Sequence, residues 1–128
     1  MKRSNVGSDL EIVKNNMSEL PAIAKSYDIT NWLLNKVESF PRNKKFTLGD
    51  RIVNLTLDIM EALIEAAYSP DKTSILKQAN LRLEKLRYLI RLCVDNKIIA
   101  MNSYEYISKE IDQLGRQVGG WLKTKKGQ

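Results

Sequence analysis

The chain has no histidine, one cysteine, three prolines and six glycines in 128 residues. Each shortage removes a class of protein. Without histidine there is no Ser-His-Asp or Cys-His nucleophile pair, no ordinary zinc site and no Glu-x-x-His ligand set for a di-iron bundle. A single cysteine, Cys93, cannot form an internal disulfide, and a cytoplasmic location is the expectation. No run of 18 apolar residues is present to span a membrane as a helix, and the polar stretch after Met1-Lys2-Arg3 does not read as a secretory signal. The common phosphate loops, GxxxxGK[ST] and GxGxxG, are missing. These absences leave no catalytic set, no cofactor and no metal to expect. The scarcity of proline and glycine, in turn, permits long helices.

What remains is a globular mixture, 43% hydrophobic and 28% charged, on a chain of one-domain size. Apolar residues recur at the three-four spacing of helices, and no stretch alternates as a strand does. Residues 1–17 are polar and read as an N-terminal extension, with Ser8-x-x-Glu11 able to cap one short turn. A bundle is expected over 18–123, followed by a basic tail at 124–128. Helix one should start near Ser18, tolerate Pro21 in its first turn and stop at Pro41. Its expected stripe is Leu20, Ile23, Tyr27, Leu34 and Val37, with Thr30 filling one step. Residues 41–46 read as a basic loop and Thr47 as the cap of helix two. Helix two carries one stripe of Leu48, Ile52, Leu55, Ile59, Leu63 and Ala66. It carries a second of Val53, Leu57, Met60, Ile64 and Ala67. Ser69-Pro70-Asp71 is a turn, helix three runs from about Lys72 to Asn96, and Asn102 or Ser103 caps helix four. The last stripe is Tyr104, Ile107, Ile111, Leu114, Val118 and Trp121. Four amphipathic helices with short links predict an all-α, antiparallel up-down-up-down four-helix bundle.

Helix three carries more apolar surface than one bundle needs. Leu76, Ala79, Leu83, Leu86, Ile90 and Cys93 form its core stripe, and Cys93 is expected to be a small buried hydrophobe. Leu81, Tyr88, Leu89 and Leu92 fall roughly 240° to 340° around the helix, against roughly 20° to 120° for the core stripe. Such a surplus face implies either a wider core or a subunit interface. In helix four, Gly115-x-x-x-Gly119 with Gly120 lowers helix propensity by about 1 kcal/mol per glycine. The continuing apolar positions Trp121 and Leu122 favour close packing there over fraying.

Net charge is +6, from 21 bases and 15 acids, and it is unevenly spread. Bases cluster at Arg42, Lys44 and Lys45, at Arg82, Lys85, Arg87 and Arg91, and at Arg116, Lys123, Lys125 and Lys126. These are the candidate contacts to nucleic acid or another partner, because a clustered basic surface attracts polyanions. Solvated faces of ordinary helical proteins carry comparable charge. Arg87 and Arg91 stand one turn apart beside the core stripe, a position suited to a groove or an intersubunit ion pair, and Arg116 has the spacing to pair with Asp112. Asp58, Glu61 and Glu65 read as a solvated edge or as partners for a basic helix. No aromatic platform for single-stranded bases is expected, since Tyr104, Tyr106 and Trp121 fall on or near core positions.

The stretches Tyr27 to Leu34 (YDITNWLL), Phe40-Pro41-Arg42 with Phe46 to Arg51 (FTLGDR), Leu86 to Arg91 (LRYLIR), Leu114-Gly115-Arg116 and Gly119 to Leu122 (GGWL) come in a characteristic order and spacing. On these the sequence resembles the accessory variability determinant (Avd) proteins of diversity-generating retroelements. They belong to a wider four-helix family that includes proteins encoded in 23S rRNA intervening sequences. The resemblance implies a cytoplasmic homopentamer, a barrel of bundles with a basic surface. It implies binding to RNA and DNA and to the retroelement's reverse transcriptase, which copies template RNA with adenine-directed errors. The accessory protein is not itself the polymerase. The family's helix-three arginines fall on Arg87 and Arg91, and its helix-four arginine on Arg116; residues 1–17 match no family pattern.

Two other readings stand beside this one. A purely structural bundle of the intervening-sequence type would have the same sequence features and no reverse transcriptase partner. A helical enzyme with an arginine-lined site for an anionic substrate would need bases converging with a carboxylate inside one bundle.

Overall fold

The computed structural model describes residues 20–126. The Ser8-x-x-Glu11 pattern, the start of helix one at Ser18 and the last two residues lie outside them. Four long helices make up the described chain: α1 (Leu20–Val37), α2 (Asp50–Tyr68), α3 (Lys72–Asp95) and α4 (Met101–Lys126). Each packs on its sequence neighbours, and α1 closes against α4, giving the expected four-helix bundle. Among the described residues there is no strand, and no helix is long and apolar enough to cross a membrane.

The core follows the three-four stripes of α2, α3 and α4. Ile52, Ile59, Leu63 and Ala66 meet Leu76, Leu83, Leu86, Ile90 and Cys93, and Ile107, Ile111, Leu114, Val118 and Trp121 close over them. Burying side chains of this size contributes roughly 1.5–3 kcal/mol each. Burial also pushes the Cys93 thiol up from 9.0 to about 11, so it stays protonated near neutral pH.

Helix α1 departs from its expected phase. Tyr27 and Leu34 are 58% and 42% exposed, and the buried residues are Ala22, Ser26, Ile29, Thr30, Leu33 and Val37. Thr30 and Val37 of the expected stripe are buried, but the polar Ser26 takes the inward place given to Tyr27, and Ala22 and Leu33 those given to Ile23 and Leu34. The Ser26 hydroxyl donates to the Ile23 carbonyl at 3.0 Å, and the Thr30 hydroxyl to the Ser26 carbonyl at 2.7 Å. Each hydroxyl therefore enters the core already hydrogen-bonded.

The α1–α2 corner is also more regular than a loop. After Pro41 a short helical turn (Arg42–Lys44) runs into a widened π-type turn (Lys45–Gly49) that continues into α2. The Asp50 N–H donates to the Lys45 carbonyl five residues back. Thr47 is not a cap: its hydroxyl donates backwards to the Asn43 carbonyl at 3.1 Å. Gly49 is buried here because a Cβ would come within 2.7 Å of Val37 Cγ1 and 3.5 Å of Phe40 Cδ2.

The other corners are tight. At Ser69-Pro70-Asp71, Lys72 Nζ donates to the Ala66 carbonyl at 2.6 Å and so closes the end of α2. Between α3 and α4, Lys97 takes the left-handed conformation (φ 60°). The Ile98 N–H donates to the Cys93 carbonyl at 2.8 Å, and the Lys97 N–H to the Val94 carbonyl at 3.0 Å. This is a Schellman stop with lysine where glycine is usual. Helix α4 begins at Met101, ahead of the expected caps, and continues through Lys126. Lys123 therefore stands on a helix. The expected tail is held in the helix at Thr124, whose hydroxyl donates to the Gly120 carbonyl at 2.9 Å.

Candidate nucleic-acid and partner interface

Most of the candidate basic side chains fall into three groups on the bundle, with Arg82 and Lys123 apart from them. Arg42, Lys44 and Lys45 sit at the α1–α2 corner, where Lys45 Nζ is 2.9 Å from Glu38 Oε1. Lys85 lies across the α2–α3 seam, lining a shallow cleft with Arg51, Asp58 and Leu89. Arg82 is partly buried on α3, and Lys123 is exposed near the end of α4. The third group is the densest. Arg87 and Arg116 line one cleft of about 490 Å³ on the α3–α4 seam, and Arg87 and Arg91 line the next, of about 240 Å³.

Arg87 is held from both helices of the seam. Its Nη1 lies 3.2 Å from Asp112 Oδ1 on α4, and its Nε lies 3.5 Å from Glu84 Oε2 one turn back on α3. The Nε atom is buried and too far from Glu84 for a hydrogen bond, so that contact is purely electrostatic. The guanidinium lies over Gly115, where a Cβ would come within 2.6 Å of Nη2. Glycine is what lets the arginine lie against the α4 backbone. Asp112 is thus held by Arg87 and not, as its spacing suggested, by Arg116, which makes no ion pair within 4.0 Å among the described residues. Arg91 leans on Asp95 at 3.8 Å and is otherwise open. The seam therefore holds one clamped arginine between two freer ones.

Gly119 and Gly120 do not share this role. A Cβ at either meets nothing within 4 Å, so the close packing expected along the whole glycine run is confined to Gly115.

The surplus apolar face of α3 is present in part. Leu81, Tyr88 and Leu92 are 52%, 67% and 47% exposed. Leu89 differs: it is half-buried against the core on the α2 side, because it lies nearer the core stripe than the other three. Leu81 lines the same cleft as Arg87, and Tyr88 the next, so the apolar face adjoins the arginines.

A family model described as bAvd-like matches residues 22–125, which takes in all four helices. The chain belongs to the bAvd-like family. No curated protein matches it in sequence. Four chains of known structure do match. One is the crystal structure of a protein of unknown function from the S23 ribosomal protein family of Bacteroides thetaiotaomicron VPI-5482. It is 17% identical, with a TM-score of 0.77, over 83% of this chain and 98% of that one. At that identity the likeness shows the shared bundle fold. Within the bAvd-like match lie Arg87, Arg91, Arg116 and the Gly115 on which Arg87 rests.

Sequence reading missed one cluster altogether. Trp32 on α1 and Tyr106 on α4 meet at 5.5 Å between ring centroids, and Tyr106 is 49% exposed, not buried near the core. The available signal was the phase of α1. With Ile29 and Leu33 inward, Trp32 falls on the edge that faces α4.

Proposed function

We propose that this bAvd-like chain is a non-catalytic accessory protein of a diversity-generating retroelement, which binds RNA or DNA and the element's reverse transcriptase. On this reading it works as a cytoplasmic homo-oligomer, expected to be a barrel-shaped pentamer, assembled through Leu81, Tyr88 and Leu92. The supporting observation is the α3–α4 seam, where Arg87 is clamped by Asp112 over Gly115 between Arg91 and Arg116. The clamped Arg87 props the seam open, and the freer guanidiniums of Arg91 and Arg116 beside it offer planar, paired donors to a phosphate or carboxylate. The freer bases at Arg42, Lys44 and Lys123 supply diffuse attraction. The seam also argues against the enzyme reading, since Arg87 and Arg116 line an open surface cleft and not a closed pocket inside the bundle.

The test begins with the neighbouring genes, where a reverse transcriptase and a template repeat are expected, and continues with a pull-down of that polymerase, run with RNA binding at several salt concentrations. Arg87→Ala with Arg91→Ala should abolish polymerase capture and leave the circular dichroism unchanged. Bound RNA should be lost steeply with salt, log affinity falling by about 0.7 per log unit of salt for each single-strand phosphate neutralised. Full capture by the double variant, or salt-insensitive RNA binding by the unaltered protein, would sink this reading. A monomer by light scattering at micromolar concentration would remove the oligomer from it.

A further inference from the structure

Where α1 lies against α4, the Trp32 and Tyr106 rings are tilted at 40° to each other, and the Lys36 ammonium stands 5.7 Å from the Trp32 ring centroid. Asn102 and Ser103, one turn before Tyr106, complete a shallow cleft of about 240 Å³ with the two rings. Trp32 packs on the core and so fixes the pair, while Tyr106 is half open to solvent. Lys36 has no carboxylate within 4.0 Å among the described residues.

We infer that this cleft is a stacking site for one base of single-stranded nucleic acid. The base lies against the exposed Tyr106 ring, its polar edge reaches Asn102 and Ser103, and Lys36 meets the adjoining phosphate. The inference rests on the reading that the chain binds nucleic acid, and adds to it a second site of different chemistry on the other side of α4. Two features favour a base over the apolar surface of a second copy. An apolar surface would leave the Asn102 amide and Ser103 hydroxyl without partners, whereas a base edge supplies them. A lysine beside paired rings also suits a ligand that carries a π face and an anionic group together. Asp28 and Glu105 stand within one turn of the two rings in sequence and offset Lys36 and Lys109. Attraction at this site therefore comes mainly from stacking, with one phosphate contact at Lys36, and should fall less steeply with salt than at the arginine seam.

The experiment titrates the full chain with a 12-nucleotide single strand and with an abasic strand of equal length and charge. Labelled-strand anisotropy and tryptophan fluorescence are followed together. Trp121 is buried, so a change in emission on base binding reports Trp32. The base-bearing strand should quench that emission and bind roughly 5- to 150-fold more tightly than the abasic one, as expected for one stacked base. Tyr106→Ala should erase the difference while keeping the abasic affinity, and Tyr106→Phe should restore it. Arg87→Ala with Arg91→Ala should lower both affinities and leave their ratio intact. Equal binding of the two strands overturns the stacking site alone, whereas no binding of either removes the nucleic-acid reading with it. Breakdown of the oligomer in Tyr106→Ala, seen by sedimentation, would make the rings a subunit contact and overturn the inference.

Discussion

Gly49 and Gly115 make the same kind of room in different surroundings. A Cβ at Gly49 would stand 2.7 Å from Val37 Cγ1, and one at Gly115 would stand 2.6 Å from Arg87 Nη2. By distance alone the two are equivalent, but the neighbours are not. Val37 is a buried, β-branched side chain with one preferred rotamer, so its methyl cannot swing aside as the tip of a long side chain can. Arg87 Nη2 is the far end of a flexible side chain beside an open cleft. The first glycine belongs to folding, and the second sets the pose of a surface arginine.

The sharpest way to break this comparison is Gly49→Ala. Overpacking against Val37 and Phe40 should cost about 1–3 kcal/mol, of which helix propensity at this helical glycine returns up to about 1 kcal/mol, read as a lowered urea midpoint with the slope unchanged. A stability equal to that of the unaltered protein would mean that the α1–α2 corner yields easily. Gly119→Ala and Gly120→Ala come next and run the other way. With nothing near either Cβ, each should raise stability by about 1 kcal/mol through helix propensity. A loss at either position would reveal a neighbour from another subunit. Replacing Lys97 by glycine relieves a left-handed lysine and should add up to about 1 kcal/mol in the same assay. The smallest change in stability belongs to Gly115→Ala. Its gain in propensity of about 1 kcal/mol is offset by up to about 1 kcal/mol from the displaced Arg87–Asp112 pair. Binding should nevertheless drop as far as it does in Arg87→Ala. Unchanged capture of the polymerase by Gly115→Ala would separate the arginine's pose from its role.

The same contrast explains what a single sequence discloses. The inward stripes of α3 and α4 are visible because apolar residues repeat at helical spacing without a polar break, and that of α2 is broken only at Thr56, whose hydroxyl donates to the Ile52 carbonyl at 2.7 Å. In α1 the inward face includes Ser26, whose hydroxyl is satisfied by a carbonyl of its own helix, so a search for apolar residues takes Tyr27 in its place and is led on to Leu34. That error hides Trp32 as well, and with it the ring pair on Tyr106. Thr47 after a basic stretch looks like a cap, and nothing local reveals that the helix has already begun at Arg42. Gly115 is conspicuous in the sequence as a weak point in a helix. Its partner Arg87 comes from a different helix, and only the α3–α4 packing brings the two together.

Within α4 the two faces are locked to each other. The rod is held in phase by its buried stripe, Ile107, Ile111, Leu114, Val118 and Trp121. Tyr106 and Gly115 lie nine residues apart in sequence, or about two and a half turns at about 100° a residue, so they point to opposite sides of it. One residue inserted in the turn at Lys97 would leave that phase unchanged, since the stripe still decides which side faces inward. One residue inserted between Tyr106 and Gly115 would turn the two ends by about 100° against each other. Either Tyr106 would leave Trp32 or Gly115 would leave Arg87, so the helix between them works as a fixed spacer for two sites that never touch.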